Sequence, residues 1–241
     1  MNSPSLANSQ LPDPLDFLSN VPGFGEFDWE TLSAISAHMQ YRTFGTGMTL
    51  FHQDMPGMTL YFIGEGYVRL YSLGQTGQEF TYYICGPTEI FGELSLMDNG
   101  YHASSCMTLT PIKIWLLSKD HLFDLLQKYP ALHLILLRLI ASRVRSVTRK
   151  AEALAFQDVQ GRLAYEMLDL GKKCGREVEE GISIEIPLNQ NDLASMVGAT
   201  RESVNKALAA FRSKGLIQMS GSNIILTDRG GLERMLLERG R

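Results

Sequence analysis

The sequence predicts an α+β chain: an antiparallel, jelly-roll-like β-roll, then one long helix, then a C-terminal winged helix-turn-helix. Three observations carry this. Short runs rich in Tyr, Phe, Ile, Thr and Val, punctuated by glycine, fill residues 41–117, and such runs read as many short antiparallel strands closed on themselves. From Pro130 to about Ala155 there is no internal Gly or Pro, and the apolar pattern takes a helical period. After residue 190, two amphipathic segments are separated by Gly198 and followed by two short apolar runs. That is helix-turn-helix spacing with a hairpin in the place of a wing.

Residues 1–20, opening MNSPSLANSQLPDP, have neither a basic start nor an apolar run. They are expected to be a flexible extension and not a secretory signal. A helix is expected over "DWETLSAISAHM", with Asp28 as its N-cap. The roll occupies residues 21–128, with strands in "MTLYFI", "YVRLYSL", "EFTYYI", "SCMTLT" and "IKIWLL". Ser118 can cap a short helix, "SKDHLFDLLQKY", that stops before Pro130.

In the long helix, His133, Leu137, Ile140, Val144, Val147, Ala151 and Leu154 alternate spacings of four and three, an a/d seam. Leu132, Leu136 and Leu139 form a second stripe suited to the roll. Two stripes give one face for the roll and one for a second copy of the chain, so residues 129–157 are expected to be a dimerisation helix and hinge. Residues 158–241 form the last unit. It opens with an amphipathic helix, "VQGRLAYEMLDLGKKCG", and a strand, "ISIEIP". Leu193, Met196 and Val197, then Val204, Leu208 and Phe211, mark two helices. Gly198 supplies the sharp turn and Thr200 the next N-cap, with Glu202 in the first turn. Residues 216–219 and 224–227 flank Ser220-Gly221-Ser222 as the wing.

With 44% hydrophobic and 20% charged residues over 241 positions, the chain is globular and long enough for two cores. The apolar run near 132–141 is broken by His133 and Arg138, too short to span a bilayer, so no membrane partner is expected. Cys85, Cys106 and Cys174 are odd in number and show no C-x-x-C spacing. Reduced thiols in cytoplasm and no metal site are expected. The net charge of −4 is unevenly spread: residues 1–137 hold five Lys+Arg against thirteen Asp+Glu, 138–158 five against two, and 159–241 twelve against eleven. The acidity is confined to residues 1–137, and the rest of the chain can lie against a polyanion. No G-x-x-x-x-G-K-S/T, G-x-S-x-G or H-E-x-x-H motif occurs. With no base–nucleophile constellation legible, no catalytic residue is assigned and an enzyme is not expected.

A helix that opens Thr200-Arg201-Glu202-Ser203 and continues Asn205-Lys206 presents base-reading side chains at the end that enters a major groove. Arg pairs bidentately with guanine, Glu accepts from cytosine N4, and Lys is a less selective guanine donor. Thr200, Ser203, Gln190 and the wing are suited to phosphate. For an isolated helix, Arg201 and Glu202 would read as a solvated surface pair; the turn, the wing and the upstream dimer helix favour base readout.

With these residues in view, the chain resembles the CRP/FNR family of bacterial transcription regulators over about residues 21–230. "LAFQDVQGRLAYEMLDL" is similar to the family's hinge and first DNA-domain helix, with Asp158 at the hinge, and "VGATRESVNKAL" to its recognition helix. The resemblance implies a cytoplasmic homodimer on double-stranded DNA, a near-palindromic operator and RNA polymerase as a further partner. It implies Arg201, Glu202 and Lys206 as base readers, with looser readout at Lys206, where the best-known member has a second Arg.

It also implies an effector site in the roll. In cyclic-nucleotide-binding members, an FGE stretch meets ribose and phosphate, and an Arg-Ser pair some ten residues on clamps the phosphate. Gly92 and Glu93 match within "FGELS" and Ser104 matches the serine, while Ala103 stands at the arginine. The adenine-facing Thr-Ser pair of cAMP-responsive members falls on Val147 and Thr148, so one hydroxyl remains. A buried cyclic phosphate beside Glu93 needs a cation, yet no Lys or Arg occurs between Arg69 and Lys113. His102 is expected on the opposite face of a strand and about neutral at pH 7; whether Arg69 reaches in stays open. The expected effector is therefore a small molecule other than cAMP, neutral or aromatic, met by Gly92, Glu93, Leu94, Ser95, Ala103, Ser104 and Thr148. Three alternatives stand beside it. One is a ligand-independent regulator, in which Gly92 permits a tight turn and Glu93 satisfies loop amides. Another is a haem or redox sensor, disfavoured because no Cys precedes Cys85 and His38, His52, His102, His121 and His133 are lone histidines; no cofactor is expected. The third is a ligand-binding module acting by protein contact.

Overall fold

The computed structural model describes residues 13–98, 100–221 and 223–238. Ser222 of the expected wing and residues 1–12 of the expected extension lie outside them.

Residues 14–19, expected to belong to a flexible extension, are helical. Helix α1 (Pro14–Ser19) starts where Asp13 accepts from the Leu15 amide at 2.9 Å and Pro14 fills the first helical position. Its Leu18 is buried, with Val21 and Phe24 behind it, in the core of the roll. Apolar spacing at 18, 21 and 24 ties this segment down where composition alone suggested freedom. Helix α2 (Trp29–Ser36) comes next, capped by Asp28 as expected.

Strands β1 (Gln40–Phe44), β2 (Thr49–Phe51), β3 (Thr59–Glu65), β4 (Val68–Leu73), β5 (Glu79–Cys85) and β6 (Ile90–Phe91) build the roll with β7 (Ser105–Thr108) and β8 (Ile112–Ser118). Among the described residues they form two four-stranded sheets, ordered β1-β8-β3-β6 and β2-β7-β4-β5. All their pairings are antiparallel. Phe62, Ile63, Phe91 and Ile114 fill the interior with no exposure. Strands β1, β2 and β6 were not foreseen: the last two have three and two residues, and none of β1 is buried. Between β6 and β7, Gly92 turns at φ +89° into the short helix α3 (Glu93–Met97). A Cβ there would stand 2.8 Å from the Thr59 carbonyl oxygen and 2.9 Å from the Tyr61 ring, so the turn requires glycine.

Helix α4 (Lys119–Lys128), capped by Ser118, leads to α5 (Ala131–Phe156). At 26 residues α5 is about 39 Å long. Leu132 and Leu136 of the second stripe are buried against the roll and Leu139 is partly buried there, with Ile135 joining them. Much of the seam is exposed, Leu137 at 62% and Val144 at 59%, while Ile140 is half-buried.

Asp158 caps α6 (Val159–Cys174) by accepting from the Gly161 amide at 2.9 Å, after an extended Gln157. Then come β9 (Gly175–Val178), β10 (Gly181–Ile184), α7 (Gln190–Val197), α8 (Arg201–Ser213), β11 (Ile217–Ser220), β12 (Asn223–Leu226) and α9 (Arg229–Glu238), with sheet order β11-β12-β10-β9. Strand β9 and helix α9 were not expected. Leu163, Met167, Val197, Val204 and Phe211 anchor a second core, which Ile84 and Leu109 of the roll join.

Candidate nucleic-acid interface and effector cavity

Asn189 and Asp192 close a reciprocal capping box at the start of α7. Gly198 then takes the left-handed conformation at φ 59°, ψ 48°, and the Thr200 hydroxyl accepts from the Ser203 amide at 3.2 Å to start α8. Val204, Ala207, Leu208 and Phe211 of α8 are buried. This leaves Arg201, Glu202 and Lys206 exposed and Ser203 and Asn205 half-buried. Arg201 Nε donates to Gln190 Oε1 at 2.8 Å, which joins two residues expected at the nucleic acid across the turn. Glu202 and Lys206 pair at 2.9 Å with more than three-quarters of each side chain in solvent. Such a pair contributes a few tenths of a kcal/mol, so both are easily recruited by another partner. Asn189, Asn191 and Met219 share a surface hollow with Arg201 and Gln190; nothing local in the sequence singled them out.

A second concavity, about 320 Å³, opens between the roll and α5. Gly92, Glu93, Leu94, Ser95, Ala103 and Ser104 line it, six of the seven expected contacts. Phe51, Leu70, Tyr82 and Tyr83 add apolar wall, and Arg143 and Val147 arrive from α5.

Two expectations need correction, for Thr148 and His102, and the open question about Arg69 is answered. Thr148 is exposed and is not part of this lining; its hydroxyl donates to the Val144 carbonyl at 2.9 Å. Successive helical residues diverge by about 100°, so a Val147 that faces the cavity turns Thr148 away. His102 does line the cavity. Strand alternation fails there because β7 begins only at Ser105. His102 stacks on Phe51 at 3.7 Å, its Nδ1 is 3.3 Å from Ser95 Oγ, and burial lowers its pKa, keeping it neutral. Arg69 does not reach in: it pairs with Glu79 at 2.5 Å and lies over Tyr71.

The cavity's cation is Arg143, which was not foreseen. Its Nε stands 3.6 Å from Glu93 Oε1, and its Nη2 donates to the Ile90 carbonyl at 2.7 Å and approaches Cys85 Sγ at 3.4 Å. Position 143 precedes Val147 by one helical turn, the only signal that placed it here. Burial raises the Glu93 pKa, and Arg143 opposes that rise. The pair leaves the lining with no net charge; Glu93 meets Arg143, not only loop amides.

Burial pushes the Cys85 and Cys174 thiols up to about 12 and raises Cys106 as well, which removes the thiolate character a redox-active cysteine needs. Among the described residues, no group of three or more His, Cys, Asp or Glu is placed to hold a metal. No helix among them is long and apolar enough to cross a membrane.

Residues 41–129 match the family profile of the cyclic nucleotide-binding domain, and residues 161–235 that of the Crp-like helix-turn-helix domain. The chain is 34% identical over 219 residues to the CRP-like cAMP-activated global transcriptional regulator of Mycobacterium tuberculosis, covering 91% of this chain and 98% of that protein. It is 27% identical over 206 residues to the cyclic AMP receptor protein of Thermus thermophilus, covering 86% and 92%. Among solved structures it is similar to the c-di-GMP responsive global regulator CLP of Xanthomonas campestris. The TM-score is 0.72 and the identity 26%, over 83% of this chain and 100% of that one.

Proposed function

Because the chain belongs to the CRP/FNR family of DNA-binding transcription regulators, we propose that it acts as a homodimer whose roll answers to a small effector other than cAMP. It is a regulator and not an enzyme. In this reading two chains zip along Leu137, Ile140, Val144 and Val147. Each presents Arg201, Glu202 and Lys206 to one half of a near-palindromic operator, with Asn205 beside them and Gln190, Thr200 and Ser203 at the phosphates. The work is done in cytoplasm beside RNA polymerase. An effector held between the roll and α5 biases the packing of the two α5 helices and the hinge at Asp158, which requires different affinity for two states.

The observation that carries the effector class is the internal neutrality of the cavity. Among the described residues its lining holds one cation, Arg143, already engaged by Glu93, and its walls are largely Phe51, Leu70, Tyr82, Leu94 and Val147. A ligand without charge enters such a space at no ionic cost, whereas a phosphate must pull Arg143 from Glu93. The names of two relatives favour cAMP as the second reading. Equilibrium dialysis against cAMP decides between them: this proposal expects no saturable binding, and saturation at micromolar cAMP contradicts it. No cofactor enters the proposal, so the purified protein should show no Soret band.

DNA recognition is tested by electrophoretic shift with salt titration. Phosphate contacts release counterions, so affinity should fall steeply as salt rises. A protein acting only by protein contact would give no salt-dependent shift.

A further inference from the structure

We infer that Tyr83 couples the roll cavity to the DNA-binding unit, its ring held between Arg143 of the cavity and Lys173 of α6. The inference rests on the proposal that cavity and DNA-binding unit communicate, and it names the contact through which they do so. Arg143 Cζ lies 3.9 Å from the Tyr83 ring centroid and Lys173 Nζ 3.8 Å. Tyr83 borders the roll cavity together with Arg143 and a separate small crevice together with Lys173, so the ring stands between the two cations. Each cation meets the negative face of the π-system.

Both ends of the clamp are pinned. The Tyr83 hydroxyl donates to Glu89 Oε1 at 2.7 Å, and the other Glu89 oxygen accepts from the Gly86 amide at 2.7 Å. Lys173 pairs with Asp169 at 2.9 Å.

The strand carrying Tyr83 has two roles at once. β5 is an edge strand of its sheet, and one side of it, through Tyr82 and Tyr83, lines the cavity. Its Phe80, Thr81 and Ile84 pack on the DNA-binding unit. The Thr81 hydroxyl bonds Ser195 Oγ at 2.8 Å, and the Thr81 carbonyl accepts from Lys150 at 3.0 Å. Lys150 is itself paired with the buried Glu166 at 2.9 Å. Phe80 borders Gly198, the turn of the helix-turn-helix. A molecule that displaces Arg143 or Tyr83 therefore moves a residue that the DNA-binding unit grips directly, without a long chain of intermediaries.

The test is amide hydrogen exchange on the full-length protein, with neither effector nor DNA present, so its outcome does not depend on whether an effector exists. Tyr83→Phe keeps the π-face and loses only the hydroxyl bond to Glu89, so it should speed exchange in β5 and at residues 156–158 less than the two variants that break the cation–π contact. Tyr83→Leu keeps bulk without the π-face, and Lys173→Gln removes one cation. Both should speed exchange there about tenfold, the scale of one partly desolvated cation–π contact, and leave β8 in the opposite sheet unchanged. A cavity-filling Ala103→Phe should alter β5 exchange with Tyr or Phe at position 83 and not with Leu. Wild-type exchange in Tyr83→Leu and Lys173→Gln overturns the inference, as does equal acceleration of β5 and β8. An Ala103→Phe effect that ignores residue 83, or none at all, overturns it too. Failure of the effector reading would appear elsewhere, as operator binding indifferent to every small molecule tried.

Discussion

Truncating Leu137 to alanine tests the seam on α5. Leu137 is 62% exposed in the single chain. Fully burying a leucine contributes roughly 1.5–3 kcal/mol, so dimerisation gains about 1–2 kcal/mol from this residue per chain. An alanine methyl keeps part of that, which leaves a loss of about 1 kcal/mol per chain. A two-fold interface contains the residue twice, for about 2 kcal/mol per dimer, or about a 30-fold rise in the dimer dissociation constant. Sedimentation equilibrium over a concentration series measures it, with Arg145→Ala as the control: Arg145 is exposed on the same helix but lies off the seam. Equal dissociation constants for the two variants, within twofold, would refute the assignment of the seam to a partner chain.

The other predictions concern single residues. Arg201→Ala should remove roughly 1–3 kcal/mol of discrimination at one base pair of each half-site; competition binding to a panel of single-base operator variants reads it, and an unchanged profile contradicts the role. Gly92→Ala should destabilise the fold by about 1–3 kcal/mol in urea denaturation, because its Cβ meets the Thr59 carbonyl and the Tyr61 ring at positive φ, whereas Gly45→Ala, which meets nothing within 4 Å, should be tolerated. Glu93 has its pKa raised by burial, so the folded chain binds this proton at higher pH than the unfolded chain does. Its contribution to stability therefore grows as pH falls from neutral towards 4.5, the ordinary value. The Tm of wild type relative to Glu93→Gln should rise between pH 7 and pH 5; a constant difference would show that Glu93 does not titrate there.

The long helix was legible because its seven seam positions repeat strictly and nothing in it breaks a helix. The helix-turn-helix was legible because Gly198 and Thr200 each have a local backbone job. The site was harder. Gly92, Glu93 and Ser104 sit in one stretch of chain and could be found by pattern. Arg143 lies about fifty positions beyond Gly92 and enters the cavity only because α5 docks on the roll, a tertiary fact with no local mark. The errors at His102 and Thr148 share a cause: each side-chain direction depends on where an element starts or which way a helix is rotated, and a one-residue uncertainty reverses it. Strands of two or three residues, such as β6 and β2, exist because neighbours supply their hydrogen bonds, so their own residues announce little.

The most direct test is selection of bound sequences from a randomised duplex pool by the purified protein. A symmetric dimer reading with α8 predicts enrichment of two inverted half-sites whose centres lie one duplex turn, ~34 Å, apart. A pool with no enriched motif, or with one unrepeated half-site, would contradict it.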